Sequence, residues 1–133
     1  MSKLFVILLM LFLHIVDDYY LQGILASMKQ KSWWKANAPD EKYKNDYIMA
    51  LVAHGFSWTF MVMLPIAVLM DFNPGAEFYI LFVGNMVVHS VTDHMKANER
   101  LINLVADQTI HVIQILYTAI YFLCCYQGGL QWN

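Results

Sequence analysis

Three pairs of histidine and aspartate residues are each separated by four positions in this sequence. On an α-helix that spacing places both side chains on one face, one turn apart. A further apolar segment carries a single histidine, and all of these residues lie in or beside strongly apolar runs. They are His14 with Asp18, His89 with Asp93, Asp107 with His111, and the lone His54.

Imidazole and carboxylate groups are the ligands that zinc, manganese and iron take in proteins. Helix bundles build metal sites from such side chains projecting inward from several helices. The sequence therefore predicts a divalent metal site, with zinc the first choice and manganese or iron as alternatives. Four histidines and three aspartates are more ligands than one tetrahedral zinc can take. Either two metals bind, or some of these residues do not contact the metal and instead orient its ligands. The predicted ligands are His14, Asp18, His54, His89, Asp93, Asp107 and His111.

Two other interpretations of the same residues stay open. Ionisable side chains inside a membrane also form proton or ion paths. Histidine–aspartate pairs can instead act as hydrogen-bonded clamps between helices, each worth only about 1 kcal/mol. A path open to both sides needs polar groups along its whole length, and residues 5–12 and 60–70 have almost none.

The amino-acid composition indicates whether these residues lie in a soluble domain or in a membrane protein. Hydrophobic residues make up 59% of the 133 residues and charged residues 14%, against about 45–50% and about 25% in soluble domains. A chain this short has too little interior to bury the excess. Since a membrane-spanning helix needs about 20 mostly apolar residues, we predict an all-α fold, a four-transmembrane-helix bundle in one integral membrane domain over residues 1–133. The predicted spans are about 4–26, 47–70, 76–96 and 101–126.

The basic residues predict the orientation of the bundle. Residues 27–46, between the first two spans, contain five lysines and two adjacent tryptophans, which suits an interfacial segment in the headgroup region. Lys96 at the end of span three and Arg100 just after it bring the count to seven basic residues on one side of the membrane, against Lys3 on the other. The positive-inside rule then makes that side cytoplasmic and places both termini outside the cytoplasm.

This topology gives the histidines and aspartates a common depth. At about 1.5 Å per residue the four histidines lie some 10–18 Å from the cytoplasmic edge, and the aspartates lie about one turn nearer to it. Asp17 is about 100° around the helix from Asp18, so only one of the two is expected to face the cluster. His94 lies near the interface, where a solvated histidine is expected. The net charge of −2 gives no sign of nucleic-acid binding.

Several separated motifs resemble the DUF3307 family of small polytopic bacterial and phage membrane proteins. The resemblance covers the whole chain, and it implies an integral protein of the bacterial inner membrane with a loose similarity to membrane-bound metal-dependent hydrolases. This chain has a single histidine in the second span, where many relatives have two. The matching residues are His14, Asp18 and Gln22 (HxxxDFxxQ), His54, His89 with Asp93 and Lys96 (HxxxDxxK), and Asp107 with Gln108 and His111 (DQxxH).

Together these patterns predict a membrane-embedded metal-dependent hydrolase that opens toward the cytoplasmic leaflet. The metal would lower the pKa of a bound water, and whichever of Asp18, Asp93 and Asp107 is not a ligand would accept the proton. Lys96 would bind an anionic group such as a lipid phosphate. The expected partners are membrane lipids and an amphiphilic small-molecule or lipid substrate, and a homo-oligomer is also compatible. The alternative is a non-enzymatic membrane protein, either an ion or proton conductor or a phage-type modulator of a host membrane complex.

Overall fold

The computed structural model describes residues 2–126 and 130, and every regular element in that part of the chain is helical. Three of the long helices continue into a π-helical turn. In chain order the elements are α1 (Lys3–Val16, continued by the π-helical turn Asp17–Leu21), α2 (Leu25–Met28), α3 (Lys31–Asn37), a 3₁₀ turn (Glu41–Tyr43), α4 (Asp46–Leu69), α5 (Ala76–His94, continued by Met95–Glu99) and α6 (Leu104–Ile120, continued by Tyr121–Cys125).

Local sequence signals account for where the long helices begin and end. Ser2 caps α1 by accepting a hydrogen bond from the Phe5 amide, and Asn103 caps α6 in the same way. The first helical stretch ends at Leu21, five residues before the end of the predicted span. Gly23, which has a φ of +47°, follows it, and a residue in this left-handed conformation cannot continue a helix. Pro74 follows the turn after α4 and helps to separate that helix from α5.

Three helical stretches are long and apolar enough to cross a membrane, namely Lys3–Leu21, Glu41–Leu69 and Leu104–Cys125. These correspond to predicted spans one, two and four. Helix α5 has 19 residues, roughly 28 Å of helix, which approaches the hydrocarbon thickness of about 30 Å. Its polar residues lower its mean hydropathy, so α5 is not among the three stretches just named. Its crossing of the membrane, and therefore the count of four spans, stays a prediction.

The four long helices pack as a bundle in which α4 lies against both α1 and α5, and α6 lies against both α1 and α5. The α4–α5 contact is close at Gly55, where a Cβ atom would overlap the Ser90 hydroxyl and lie 3.1 Å from the Met86 carbonyl oxygen. The bundle interior divides into two parts. One half is an apolar core that includes Met10, Met63 and Phe122, and the other half holds the histidines and aspartates.

Candidate metal centre

The seven predicted ligands converge in the half of the bundle nearest the two connections predicted to be cytoplasmic. Each is at most 7% exposed to solvent. Every one of the four long helical stretches contributes at least one of them, so the cluster forms only when the helices pack. His14 and Asp18 come from α1 and its π-helical turn, His54 from α4, His89 and Asp93 from α5, and Asp107 and His111 from α6.

One set of donors joins three helices. Asp18 Oδ1 lies 3.2 Å from His54 Nε2 and 3.9 Å from His89 Nε2. Donors bonded at 2.0–2.1 Å to a tetrahedral zinc are separated from one another by roughly 3.3 Å. The observed separations are close to that value, so these three residues could hold a metal ion after a small contraction.

A second set of donors lies beside the first and shares His89 with it, since His89, Asp93 and His111 could also hold a metal ion. Asp93 faces both sets. Its Oδ2 atom lies 3.5 Å from His54 Nε2 and 3.9 Å from His89 Nε2, and its Oδ1 atom lies 3.5 Å from His111 Nε2. His111 Nε2 is also 3.5 Å from Asp107 Oδ1. The two sets are therefore contiguous.

Most of these donor atoms make no hydrogen bond within the described part of the chain. A buried polar atom without a partner costs about 1–3 kcal/mol, and native interiors leave few of them. Their concentration in one place is what a cation site requires, because a bound cation would satisfy several at once. The unpaired atoms of the cluster are Asp17 Oδ2, Asp18 Oδ1, both ring nitrogens of His54 and of His89, Asp107 Oδ1 and His111 Nε2.

Two lysines pair with carboxylates of the cluster. Lys29 Nζ lies 2.5 Å from Asp93 Oδ2, and Lys96 Nζ lies 2.5 Å from Asp107 Oδ2. The four buried carboxylates of Asp17, Asp18, Asp93 and Asp107 and the two ammonium groups leave a net charge of −2 when the histidines are neutral. One divalent cation would bring this buried cluster to neutrality, which matters because unpaired charge is costly in an apolar interior.

Lys29 corrects the expectation that the lysines of the first connection face the headgroups, because this lysine is only 6% exposed. The connection folds back over the cluster and is held by Asn98, in the π-helical turn that continues α5. The Asn98 side-chain amide donates to the Lys29 carbonyl (2.9 Å), and its side-chain oxygen accepts from the Lys31 backbone amide (2.7 Å). These contacts direct the Lys29 side chain inward.

A surface ion pair reinforces the same contact between the connections. Lys31 Nζ donates to Glu99 Oε1 at 2.8 Å, and both side chains are exposed. This hydrogen bond lowers the pKa of Glu99 and raises the pKa of Lys31 from their ordinary values. His94 lies nearby at the edge of the bundle and is 3.2 Å from the Glu99 carboxylate, which keeps it outside the cluster, as expected.

Asp17 was expected to face away from the cluster, and the structure shows that this expectation is wrong. Its side chain is fully buried, with Oδ2 3.5 Å from His54 Nδ1 and Oδ1 accepting a 2.6 Å hydrogen bond from the Ser57 hydroxyl. The π-helical turn is the reason, because its wider winding reduces the angle between successive residues and lets Asp17 and Asp18 both point inward. His54 thus lies between two carboxylates, one on each ring nitrogen.

Trp58 closes the cluster on the side of the apolar core. Its ring stacks on His89 with centroids 4.3 Å apart, and its Nε1–H donates to His14 Nδ1 at 2.8 Å. His14 Nε2 is 3.1 Å from Gln108 Oε1, so both ring nitrogens of His14 are already in hydrogen bonds. Trp58 was not among the predicted site residues, although its position four residues after His54 places it on the same helix face.

Comparisons of this chain with protein-family models, with curated proteins and with solved structures give no match. The chemical interpretation of the cluster therefore depends on its geometry, its burial and its charge.

Proposed function

We propose that this protein is a membrane-embedded, metal-dependent hydrolase of amphiphilic or lipid-linked substrates, working at the cytoplasmic leaflet of a bacterial inner membrane with both termini outside the cytoplasm. One observation carries the proposal: unpaired, buried nitrogen and oxygen donors from three helices meet at separations of 3.2–3.9 Å. A hydrogen-bonded clamp between helices would pair these atoms with one another, and it would leave no group of donors to be satisfied by a ligand.

Three residues are the proposed ligands of the ion, with zinc, manganese or iron as the candidates. They are Asp18 through Oδ1, His54 through Nε2 and His89 through Nε2. Asp17 stands behind His54 and fixes the orientation of its ring, as carboxylates do for histidine ligands. His14 is assigned a positioning role, because its two ring nitrogens hold Trp58 and Gln108. A divalent cation bound there supplies Lewis acidity and activates water for attack at neutral pH.

Asp93 is the proposed proton acceptor. Its Oδ2 atom lies 3.5 Å from His54 Nε2 and 3.9 Å from His89 Nε2, beside two of the proposed ligands, and it also accepts a hydrogen bond from Lys29. In hydrolysis of an ester, the oxygen of water bonds to the acyl or phosphoryl centre while the bond to the leaving oxygen breaks. One proton of that water passes to Asp93 and then to the departing alcohol, so that the carboxylate is regenerated.

The position of the cluster favours an amphiphilic substrate. Asp18 and His54 lie in helical stretches that are long and apolar enough to cross a membrane, and His89 and Asp93 lie on α5, which packs against α4. The connection that carries Lys29 covers these donors on the predicted cytoplasmic side. A substrate that reaches this place keeps its reacting group near the headgroup region and its apolar part among the helices. Opening of the Asn98 contacts would admit it.

A proton relay is the second candidate function, and a chain of polar contacts favours it. Lys96 donates a hydrogen bond to Asp107, whose Oδ1 atom lies 3.5 Å from His111 Nε2. Hydrogen bonds then continue from His111 to Gln114, from Gln114 to Asn85 and from Asn85 to Thr118. It extends the polar cluster toward the apolar half of the bundle. Within the described residues it ends there against the Met63 sulfur and the apolar core, so a relay open to both sides would require rearrangement of that core.

Elemental analysis of the purified protein tests the proposal. We expect one or more divalent ions per chain in the native protein and a loss of metal in His54→Ala and Asp18→Asn. The matched control is His94→Ala, which removes a histidine at the edge of the bundle and should leave the metal content unchanged. A native protein without stoichiometric divalent metal would refute the metal site and the hydrolase together.

Activity requires a separate measurement on the metal-loaded protein. Release of alcohol, acid or phosphate from a set of phospholipids, lipid-linked phosphates and long-chain carboxylic esters would support hydrolysis, provided that Asp93→Asn abolishes it. Bound metal without turnover of any amphiphile would favour the relay or a structural role, including that of a phage-type protein acting on a host membrane complex.

A further inference from the structure

We infer that the cluster takes a second divalent cation, held by Asp93, Asp107 and His111, and that this cation binds together with an anionic phosphate group. The inference rests on the proposed function, because it adds a neighbouring site to the one formed by Asp18 and its two histidines. It names a phosphate as the part of the substrate that reaches the cluster.

The ligand geometry gives the first argument. An imidazole nitrogen has one lone pair, so His89 Nε2 can serve only one of the two donor sets in which it takes part. When it binds the first ion, the second ion must be held by other atoms. His111 Nε2 is fully buried and unpaired, and it lies 3.5 Å from both Asp93 Oδ1 and Asp107 Oδ1. Each of these two separations is close to that of neighbouring ligands around a tetrahedral ion, and the two carboxylates would close around His111 to complete the site.

Asp93 can hold the second ion and keep its proposed role beside the first, because its two oxygens point in different directions. Oδ1 faces His111, while Oδ2 accepts a hydrogen bond from Lys29 and faces His54 and His89. The second oxygen of Asp107 remains with Lys96, so this lysine does not occupy the proposed second position. Asp93 would therefore hold the second ion through Oδ1, and its Oδ2 atom would stay available as the proposed proton acceptor.

Charge gives the second argument and identifies the anion. The cluster carries −2 with neutral histidines, so the first divalent ion brings it to neutrality. A second divalent ion would leave +2 in a buried, apolar surrounding, which is unfavourable unless a counter-charge enters with it. A phosphate dianion supplies that counter-charge, and its oxygens are hard ligands for both ions. Lys96, whose side chain is 27% exposed, is the more accessible of the two lysines that pair with the cluster.

The test measures Mn²⁺ binding to the full-length, chelator-treated protein by equilibrium dialysis, together with electron paramagnetic resonance. In phosphatidylcholine nanodiscs without phosphate we expect one Mn²⁺ per chain with the signal of an isolated ion. Inorganic phosphate, or phosphatidic acid in the nanodisc, should raise this to two per chain and produce the signal of a spin-coupled pair. A response to phosphatidic acid alone identifies a lipid headgroup, and a response to inorganic phosphate identifies a soluble or small anion.

Two variants locate the second ion. Asp107→Asn and His111→Gln should each bind one Mn²⁺ per chain with or without phosphate, while the control Asp40→Asn, an exposed carboxylate on the first connection, should behave as the native protein. Helical circular dichroism checks that each variant is folded. A native protein that stays at one Mn²⁺ per chain with both phosphate sources overturns this inference and leaves the first site intact. A native protein that binds no Mn²⁺, and no other divalent ion on elemental analysis, overturns both.

Discussion

Replacement of Lys29 by methionine offers a stringent test of how the cluster is held together without metal. The Lys29 ammonium pairs with Asp93 in the interior, and both side chains are at most 8% exposed. Methionine keeps the length and the apolar stem of lysine but removes the charge. The Asp93 carboxylate then loses its counter-ion, and the charge of the metal-free cluster changes from −2 to −3.

The expected loss of stability follows from this burial. Removing one partner of a buried ion pair costs about 3–5 kcal/mol, because the other charge stays behind unpaired. We expect about 3 kcal/mol for Lys29→Met, at the lower end of that range. The double variant Lys29→Met with Asp93→Asn removes both charges and should be more stable than Lys29→Met alone.

Unfolding of the chelator-treated protein by a denaturing detergent in mixed micelles measures these differences, with tryptophan fluorescence as the signal. Trp58 is completely buried beside the cluster and reports on its packing. Lys31→Met is the matched control, because Lys31 belongs to the same connection and pairs with Glu99 at the exposed surface. Exposed pairs contribute little, so the control should unfold with the native protein.

Two results would refute this reasoning. If Lys29→Met is no less stable than Lys31→Met, the inward position of Lys29 is not maintained in the protein. If the double variant loses the sum of the two single losses, the two residues do not interact, and the charge count that requires one divalent cation would have to be revised.

Three further predictions concern residues around the cluster. Asp17→Asn should weaken divalent-ion binding by about 10–100-fold in a calorimetric titration, because the carboxylate behind a ligand histidine fixes its ring; unchanged affinity would remove Asp17 from this role. Gly55→Ala should destabilise the bundle by about 1–3 kcal/mol through overpacking against α5, whereas Gly84→Ala, which meets no atom within 4 Å, should lose no stability in the same unfolding assay. The Glu99 carboxyl should titrate below its ordinary pKa of 4.5 in a carbon-13 NMR experiment, so its contact with Lys31 persists above pH 4.5 and is lost as the pH falls through the lowered value. In Lys31→Met the midpoint should return toward 4.5, and a midpoint that does not move would show that the ion pair is not its cause.

Helical periodicity is local, and for that reason the sequence identified most of the cluster. A spacing of four residues puts His89 and Asp93 on one face of any helix, whatever that helix packs against. The positive-inside pattern and the lengths of the apolar runs then predicted one common depth for the histidines. The structure brings these residues together from all four long helices, although the membrane crossing of α5 is still a prediction because its polar residues lower its hydropathy.

The residues that the sequence misplaced depend on non-local structure. Lys29 was grouped with the lysines of the first connection, and its inward direction results from hydrogen bonds to Asn98, almost seventy residues later in the chain. Asp17 was assigned the geometry of an ordinary helix, and a π-helical turn placed it beside His54 instead. Neither effect can be inferred from residue spacing alone.

By itself, then, the sequence determined that histidines and aspartates lie on helix faces inside a strongly apolar chain, because residue type and helical period settle this locally. Only the tertiary structure decided which of their atoms are paired. The ring nitrogens of His14 are taken by Trp58 and Gln108, whereas those of His54 and His89 have no hydrogen-bond partner among the described residues. That distinction arises from how side chains of different helices meet, and it separates the proposed ligands of the ion from the residues that position them.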